Sequence, residues 1–312
     1  MNQHRRVVTR LAVYLNRSAG AVERLGVAKM QETVETAFAQ HGVEAQIAFV
    51  SGAELHTALE QVRARAAAGK LDAIVVGGGD GSIRTAAGAL AGTGIPLGIL
   101  PLGTLNHFAK DLHVPLALDE AVAVIAAAQA QPVDVGEVNS KTFINNSSIG
   151  IYPYLVLDRE RQRRQIGWSK WTAMALAVWR IFREFPLHRL IVHEAGWQQP
   201  VRTPCLFVGN NEYSLSLPNF AKRTRLDCGE LCLYVSKPQS RLSLIWLAYR
   251  CIFGLIDERD DLRIVKVQAA EITSRRRRLL VAFDGEVEWM RPPLRYRTRP
   301  GALQVFVPTA DG

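Results

Sequence analysis

The sequence predicts an α/β plus β protein: an N-terminal parallel α/β domain, then a C-terminal β-sandwich domain with inserted helices. Three observations predict it. Apolar runs of strand length alternate with helix-length amphipathic stretches over residues 7–130, the pattern of a parallel sheet with crossover helices. A glycine-rich turn at residues 77–82 joins a β-branched run to an Ala-rich stretch. Beyond residue 133 short strand-like runs follow one another, most of them separated by turn residues.

Residues 7–15 alternate weakly as a first strand and end in the polar turn Asn16-Arg17-Ser18-Ala19-Gly20. Residues 21–41 carry apolar side chains at helical spacing and close on Gly42 as a C-cap. Residues 43–50 read as a strand, and 54–68 as a helix closed by Gly69. The run 73–76 is short and β-branched, as a buried parallel strand should be. Gly77, Gly78, Gly79 and Gly81 follow, with Asp80 among them, then Ser82, Ile83, Arg84 and a small-residue helix. Residues 95–100 form another strand, ending in Pro101-Leu102-Gly103-Thr104-Leu105-Asn106. Thr104 is placed to N-cap a short helix over 105–112, and a further helix covers 119–130.

The glycine turn carries the first chemical signal. Four glycines in five residues keep side chains out of the turn and permit positive φ. Such a backbone can bring N–H groups close to an anion, and the N-terminus of the following helix adds partial positive charge. One carboxylate, Asp80, lies within this phosphate cradle. A carboxylate beside phosphates implies a bridging Mg²⁺, since two anions would otherwise repel. No Lys follows the glycines, which excludes a P-loop, and Ser82 stands where a dinucleotide fingerprint needs its third glycine. An ordinary glycine-rich turn is the plain alternative. The turns at Asn16, Gly77 and Gly103 all fall on the carboxyl edge of the sheet, where ligands of such folds sit.

The domain boundary falls near Gln131-Pro132, giving an α/β domain over 1–132 and a β-sandwich domain over 133–302. Strands are expected at 133–138, 190–193, 204–208, 230–236, 262–267, 270–274, 279–283 and 303–307. Two helices, 166–185 and 242–256, interrupt them and carry Trp with flanking Arg. Such helices either pack on the core or lie in a membrane interface. Arg275-Arg276-Arg277-Arg278 sits between two strand candidates. It reads as a solvated hairpin turn, with contact to anionic lipid as the alternative.

The chain has 312 residues, 48% of them hydrophobic, and a formal charge of +9, so it is globular and suited to an anionic partner. Cys205, Cys228, Cys232 and Cys251 form no CxxC pair and lack a nearby His; they read as reduced thiols of a cytoplasmic protein. No run approaches a membrane span, the N-terminus lacks the apolar core of a signal peptide, and no RNP, zinc or helix-turn-helix signature points to nucleic acid.

A second acidic site follows the run Val281-Ala282-Phe283: Asp284-Gly285-Glu286. In an extended strand Asp284 and Glu286 would share a face, one suited to a metal-held phosphate and the other to a general base. A polar hairpin turn is the alternative reading.

Together these segments resemble the diacylglycerol kinase catalytic domain superfamily, which includes sphingosine and ceramide kinases and, more distantly, NAD kinases. Gly78-Gly79-Asp80-Gly81-Ser82 resembles its GGDGT signature, and Leu100 to Ala109 its LPxGTxNDFA motif. Asn16 to Gly20 resembles NPxxG, and Asp284-Gly285-Glu286 the late DGE. The resemblance implies a kinase that uses ATP and Mg²⁺ on a lipid hydroxyl, works peripherally at an anionic membrane surface, and has a cleft between its domains. It also implies that the last strand, 303–307, returns to the first domain. By analogy Asn16, Gly78, Gly79, Asp80, Gly81, Ser82, Ile83, Arg84, Gly103, Thr104 and Asn106 bind the nucleotide. Glu286 takes the hydroxyl proton, and Asp80 and Asp284 organise Mg²⁺.

The chain departs from the pattern at several places. Ser82 replaces Thr, Arg17 replaces Pro, Arg84 replaces Asn and His107 replaces Asp. Around Arg225, Cys228 and Glu230, where relatives hold a structural Mg²⁺, Cys228 is a poor ligand for a hard cation. An NAD kinase, or a non-catalytic nucleotide- or lipid-binding regulator on the same scaffold, are the alternatives. The lipid and the oligomeric state, a homodimer included, stay open.

Overall fold

The computed structural model describes residues 8–164, 187–194, 197–215, 222–223, 225–237, 240–253 and 261–309. The chain divides into two compact units, one made of residues up to Val135 with those from Arg299 on, the other of Gly136–Thr298.

The first unit holds β1 (Arg10–Asn16), α1 (Gly20–Leu25), α2 (Val27–Gln40), β2 (Glu44–Val50), α3 (Gly52–Ala67), β3 (Ala73–Gly78) and α4 (Asp80–Leu90). β4 (Leu97–Pro101), α5 (His107–Asp111) and α6 (Leu118–Ala126) follow. β2, β1, β3 and β4 pair in that order, all parallel. β3 and β4 are buried along their whole length, which explains why they read as unbroken apolar runs rather than alternating ones. α2 packs with α6 and α3 with α4.

The single helix expected over 21–41 is two helices. Gly26 at φ +86 breaks it, a conformation open to glycine and costly to other residues. α3 starts where its sequence signals it. Ser51 Oγ accepts from Glu54 N at 3.3 Å while Glu54 Oε2 accepts from Ser51 N at 2.8 Å, a reciprocal capping box.

The second unit contains two sheets. Its strands include β6 (Lys141–Phe143), β7 (Asn146–Gly150), β8 (His188–Glu194), β9 (Trp197–Thr203), β10 (Cys205–Asn210) and β11 (Leu231–Ser236). β12 (Leu262–Val267), β13 (Ala269–Ser274), β14 (Leu279–Phe283) and β15 (Glu286–Met290) follow. One sheet runs β12-β11-β10-β7-β14-β15, antiparallel throughout. In the other, β8 pairs with β9 and β13, and β13 pairs with the first part of β16 (Leu294–Phe306). Residues of both sheets, among them Leu190, Ile272, Leu294, Val208, Leu233 and Val281, form one buried cluster, which is the sandwich core.

The strand expected at 303–307 is the end of β16, and Val305 pairs with Leu97 of β4 in the first unit. β5 (Ala130–Val138) begins where the helix over 119–130 was expected to end. α7 (Ile151–Arg164), β9 and β15 have no counterpart in the sequence reading. The helix expected over 166–185 lies outside the described residues. The one expected over 242–256 is α8 (Arg241–Phe253) as far as it is described. Arg275 to Arg278 is not a hairpin turn: β13 and β14 belong to different sheets, so the run joins sheet to sheet.

Candidate active site

In the first unit three parallel strands end side by side. Leu15 is level with Gly77, Gly77 with Leu100, and Gly78 with Pro101. The expected edge therefore exists, with Asn16, Gly78, Gly79 and Gly103 gathered on it. Asn16 ties two turns together: its Nδ2 donates to Ser82 Oγ at 2.9 Å, and its Oδ1 accepts from Ser18 N at 3.0 Å.

Gly77, Gly78 and Gly103 are required for space, not for positive φ. None of Gly77, Gly78, Gly79, Gly81 or Gly103 has positive φ, which corrects the sequence expectation. β3 runs through Gly78 and α4 starts at Asp80, so the turn itself is Gly79. A Cβ on Gly78 would lie 2.5 Å from Ser82 Oγ, and one on Gly103 would collide with the Cα of Gly79. The two loops touch backbone to backbone. Gly81 has open space around its Cα.

Gly79, the N-cap of α4, offers no side chain to the first-turn N–H groups; Ser82 N is on the Gly79 carbonyl at 3.0 Å, which leaves the amides of Asp80 and Gly81 without intrahelical acceptors. The helix N-terminus is therefore bare and open, as an anion site requires. Ser82 and Ile83 are buried, Arg84 is half-buried, and Gly81 and Thr104 are exposed.

Thr104 does not cap a helix. α5 begins at His107 and its N-cap is Asn106, held in the left-handed region at φ 50. Asn106 folds the loop onto itself: its Oδ1 accepts from Gly103 N at 3.1 Å, and its Nδ2 donates to Gly103 O at 2.9 Å. Asp80 Oδ1 accepts from Phe108 N at 3.1 Å, so the carboxylate of one loop anchors the other. No other polar partner of Asp80 occurs among the described residues. Exposed His107 precedes Phe108.

In the second unit Asp284 and Gly285 are the two residues between β14 and β15, with φ of +47 and +84. Positive φ at both is the signature of a tight Asp-Gly hairpin. Phe283 pairs with Glu286, so the chain turns back at once. The expectation of an extended strand with Asp284 and Glu286 on one face fails for that reason. Asp284 accepts from Ile144 N at 2.7 Å, Asn145 N at 2.8 Å and Asn146 N at 3.1 Å. Three backbone donors make it the anchor of the 144–146 segment. Glu286 opens β15 and is exposed.

The structure adds residues that the sequence did not single out. Arg223 is only 3% exposed. It donates to Ile144 O at 2.7 Å, Asn210 O at 3.1 Å and Asn145 Oδ1 at 2.7 Å. In sequence it lies within Lys222-Arg223-Thr224-Arg225, a basic run with the look of a solvated loop and no signal of burial.

At Arg225, Cys228 and Glu230 the chain makes local pairs. Arg225 Nε bonds Asp227 at 3.0 Å, and Cys228 N donates to Asn211 Oδ1 at 3.1 Å. The ammonium of Lys266 reaches Glu212 at 2.6 Å and Glu230 at 3.3 Å; these two carboxylates raise its pKa, most strongly by hydrogen bonding to Glu212. Burial, and then Glu230, push the Cys232 thiol up to about 12. No group of three His, Cys, Asp or Glu side chains among the described residues is arranged to hold a metal.

Residues 10–138 match the diacylglycerol kinase catalytic domain. The chain is 46% identical over 244 residues to the probable lipid kinase YegS-like of Pseudomonas aeruginosa, covering 76% of this chain and 77% of that protein. The chain belongs to the diacylglycerol kinase catalytic domain superfamily. A shorter match, 42% identical over 84 residues, is to the probable lipid kinase YegS-like of Citrobacter koseri; it covers 26% of this chain and only 28% of that relative's length. The fold is also that of a crystal structure of a putative diacylglycerol kinase from Bacillus anthracis. That likeness has a TM-score of 0.73 at 21% identity and covers 99% of both chains.

Within this superfamily the first-unit residues fit a nucleotide's phosphates. The N-terminus of α4 is bare, and a Cβ at Gly78 or Gly103 would intrude on the loops beside it. Asp80 also fits a hard cation, with one carboxylate oxygen on Phe108 N and the other uncommitted among the described residues. Asp284 fits less well, because its oxygens already serve three N–H groups.

Proposed function

We propose that the chain is a lipid kinase that moves the γ-phosphoryl group of ATP to a lipid hydroxyl with Mg²⁺. The observation that carries this reading is the bare N-terminus of α4, framed by Gly79, Gly103 and Asp80. Phosphoryl transfer asks mainly for phosphates held, charge neutralised and a nucleophile positioned. In this reading the α4 amides hold phosphate oxygens, with Asn16 fixing Ser82 beside them. Asp80 would hold Mg²⁺, which supplies neutralising charge along the phosphates.

Asp284 is committed to the 144–146 backbone, which leaves Glu286 as the carboxylate of the pair suited to take a proton. It would receive the lipid hydroxyl proton as that oxygen bonds the γ-phosphorus and the bond to the ADP oxygen breaks. Asp284 then acts as a positioning residue, a revision of the metal role implied by the resemblance.

A membrane-surface setting is supported by α8. Leu242, Trp246 and Tyr249 are 72%, 55% and 44% exposed, while Leu244 and Leu247 are buried. The Trp246 and Tyr249 rings stack at 5.1 Å, with the Arg250 guanidinium 5.8 Å from the Trp246 ring. Apolar and aromatic side chains on one exposed helix face suit the bilayer interface. Among the described residues no helix is long and apolar enough to cross a membrane. The reading is peripheral association at the cytoplasmic face.

The test is transfer of labelled phosphate from ATP to mixed lipid vesicles with Mg²⁺, wild type beside Glu286→Gln. Labelled lipid from the wild type alone is expected, and its identity names the substrate. NADP⁺ formation from NAD⁺ would move the assignment to an NAD kinase. Nucleotide binding without any turnover would make the chain a regulator.

A further inference from the structure

The outer face of the β8–β9–β13 sheet carries a built cationic cavity. β8 and β9 pair so that Arg189 stands opposite Arg202 and Ile191 opposite Pro200; on the other side of β8, Ile191 stands opposite Thr273. Side chains alternate across a sheet. Leu190, Val192 and Ile272 point into the sandwich core, so Arg189, Ile191, Pro200, Arg202 and Thr273 point outward. Together with Arg275 they line a cavity of about 590 Å³. Its floor is aliphatic, and its rim is arginine.

The charge arrangement costs stability as it stands. Like charges directly opposite on neighbouring strands repel, and Arg189 and Arg202 are such a pair. Arg275 joins them on the rim, and exposed Arg276, Arg277 and Arg278 follow. Among the described residues no carboxylate pairs with any of these six. Elsewhere in the unit arginines do find acids: Arg250 bonds Asp261 at 2.8 Å, Arg295 bonds Glu271 at 3.0 Å and Arg297 bonds Glu137 at 2.9 Å. Glu271 lies on β13, two residues before Thr273, but its carboxylate is on Arg295. The cluster is thus a concentration of positive charge that the fold does not neutralise.

We infer that this face docks the protein on a bilayer of anionic phospholipid. An arginine fork pairs two oxygens of a phosphate, and Arg189, Arg202 and Arg275 surround a space that holds a headgroup. The lining carries no aromatic ring on which a nucleic-acid base could stack. The net charge of +9 steers the whole chain to such a surface. This site goes beyond the kinase reading, and docking is measurable without turnover.

The experiment is co-sedimentation of the full chain with phosphatidylcholine vesicles, with and without phosphatidylglycerol, without ATP. Wild type is compared with Arg189→Gln/Arg202→Gln and with Lys29→Gln/Lys70→Gln, which removes the same charge from the first unit. A basic residue at an anionic surface contributes roughly fivefold, so the arginine pair should lose about 25-fold in partitioning to anionic vesicles. The lysine variant should stay near wild type, neutral vesicles should bind all three equally weakly, and added salt should erase the difference. Arg189→Lys/Arg202→Lys should recover most of the binding, which a misfolded variant could not. Equal loss in both Gln variants would reduce the effect to net charge and overturn the site. So would an arginine variant that binds vesicles as wild type does but loses affinity for a single-stranded oligonucleotide. Phosphorylation of detergent-dispersed lipid should be unchanged in the arginine variant, and its absence in the wild type would count against the kinase reading alone.

Discussion

Arg223 and Asp284 grip the same residue from its two polar ends. Arg223 donates to the carbonyl of Ile144 at 2.7 Å, and Asp284 accepts from the N–H of Ile144 at 2.7 Å. Asn210 adds a second donor to that carbonyl at 3.0 Å, while Asn145 N and Asn146 N go to the other Asp284 oxygen. Ile144 and Asn145 are buried between β6 and β7, so their backbone groups must find partners there. Two charged side chains supply most of these, and one of them, Asp284, lies two residues before the candidate base Glu286.

This geometry makes Asp284→Ala a stability variant. It would strip the acceptor from three partly buried N–H groups, a loss of about 2–4 kcal/mol. Arg223→Met should cost a similar ~3 kcal/mol, because it removes the buried guanidinium that donates to Ile144 O, Asn210 O and Asn145 Oδ1. Because both act on one segment, the double variant should lose less than the sum, by at least ~0.5 kcal/mol. Denaturant unfolding of the four proteins measures it; strict additivity would mean that the two side chains act independently.

Glu286 should behave in the opposite way. It is exposed at the start of β15, and Glu286→Gln keeps its shape. The midpoint of unfolding should move by less than ~0.5 kcal/mol equivalent, while phosphoryl transfer falls by roughly 100-fold or more if the carboxylate takes the proton. Turnover close to wild type would remove Glu286 from the chemistry, whatever the lipid.

The glycines of the first unit separate space from flexibility. Gly103→Ala drives a Cβ into the Gly79 backbone and to 2.7 Å from Asn106 Oδ1. Neither can yield cheaply, so a loss of ~1–3 kcal/mol is expected, with nucleotide affinity falling alongside as the two loops part. Gly81→Ala meets nothing within 4 Å and should fold as wild type does. Calorimetric titration with ATP separates the two: equal affinity in both variants would mean that the Gly79–Gly103 approach does not shape the cradle.

How much of this was legible in the sequence depends on the range of the interaction. β3, the bare turn and α4 follow from a β-branched run, glycines and small helix formers in consecutive positions, so they could be read directly. The sandwich was legible as a succession of short strands. Its sheet partners were not, and Arg275 to Arg278 was misplaced as a hairpin because nothing local says that β13 and β14 lie in different sheets. Gly26 hid a helix break inside a good amphipathic pattern. Asp284 and Gly285 held a hairpin signal that the extended reading overrode. Arg223 was invisible altogether: its role depends on carbonyls of Ile144 and Asn210, far from it in sequence, and an arginine among basic neighbours looks solvated until the fold buries it.

The last expectation concerns pH. His188, at the start of β8, is 3% exposed, and neither ring nitrogen has a hydrogen-bond partner among the described residues. Burial, and then the Arg276 charge, lower its pKa from 6.5 to about 4. The unfolded chain therefore takes up a proton on this residue as pH falls through 6.5, while the folded chain resists until about pH 4. The stability this neutral imidazole allows is complete above pH 6.5, drains away between 6.5 and 4, and is gone below that, a total of ~3 kcal/mol. Between pH 7 and pH 5 the share lost is ~2 kcal/mol. His188→Leu removes both the titration and the two unpaired nitrogens at some cost in shape. Wild type should thus lose about 2 kcal/mol more than His188→Leu when denaturant unfolding is repeated at pH 7 and pH 5. Parallel losses would mean that His188 is protonated in the fold at pH 5, with water or a shifted Arg276 relieving its burial.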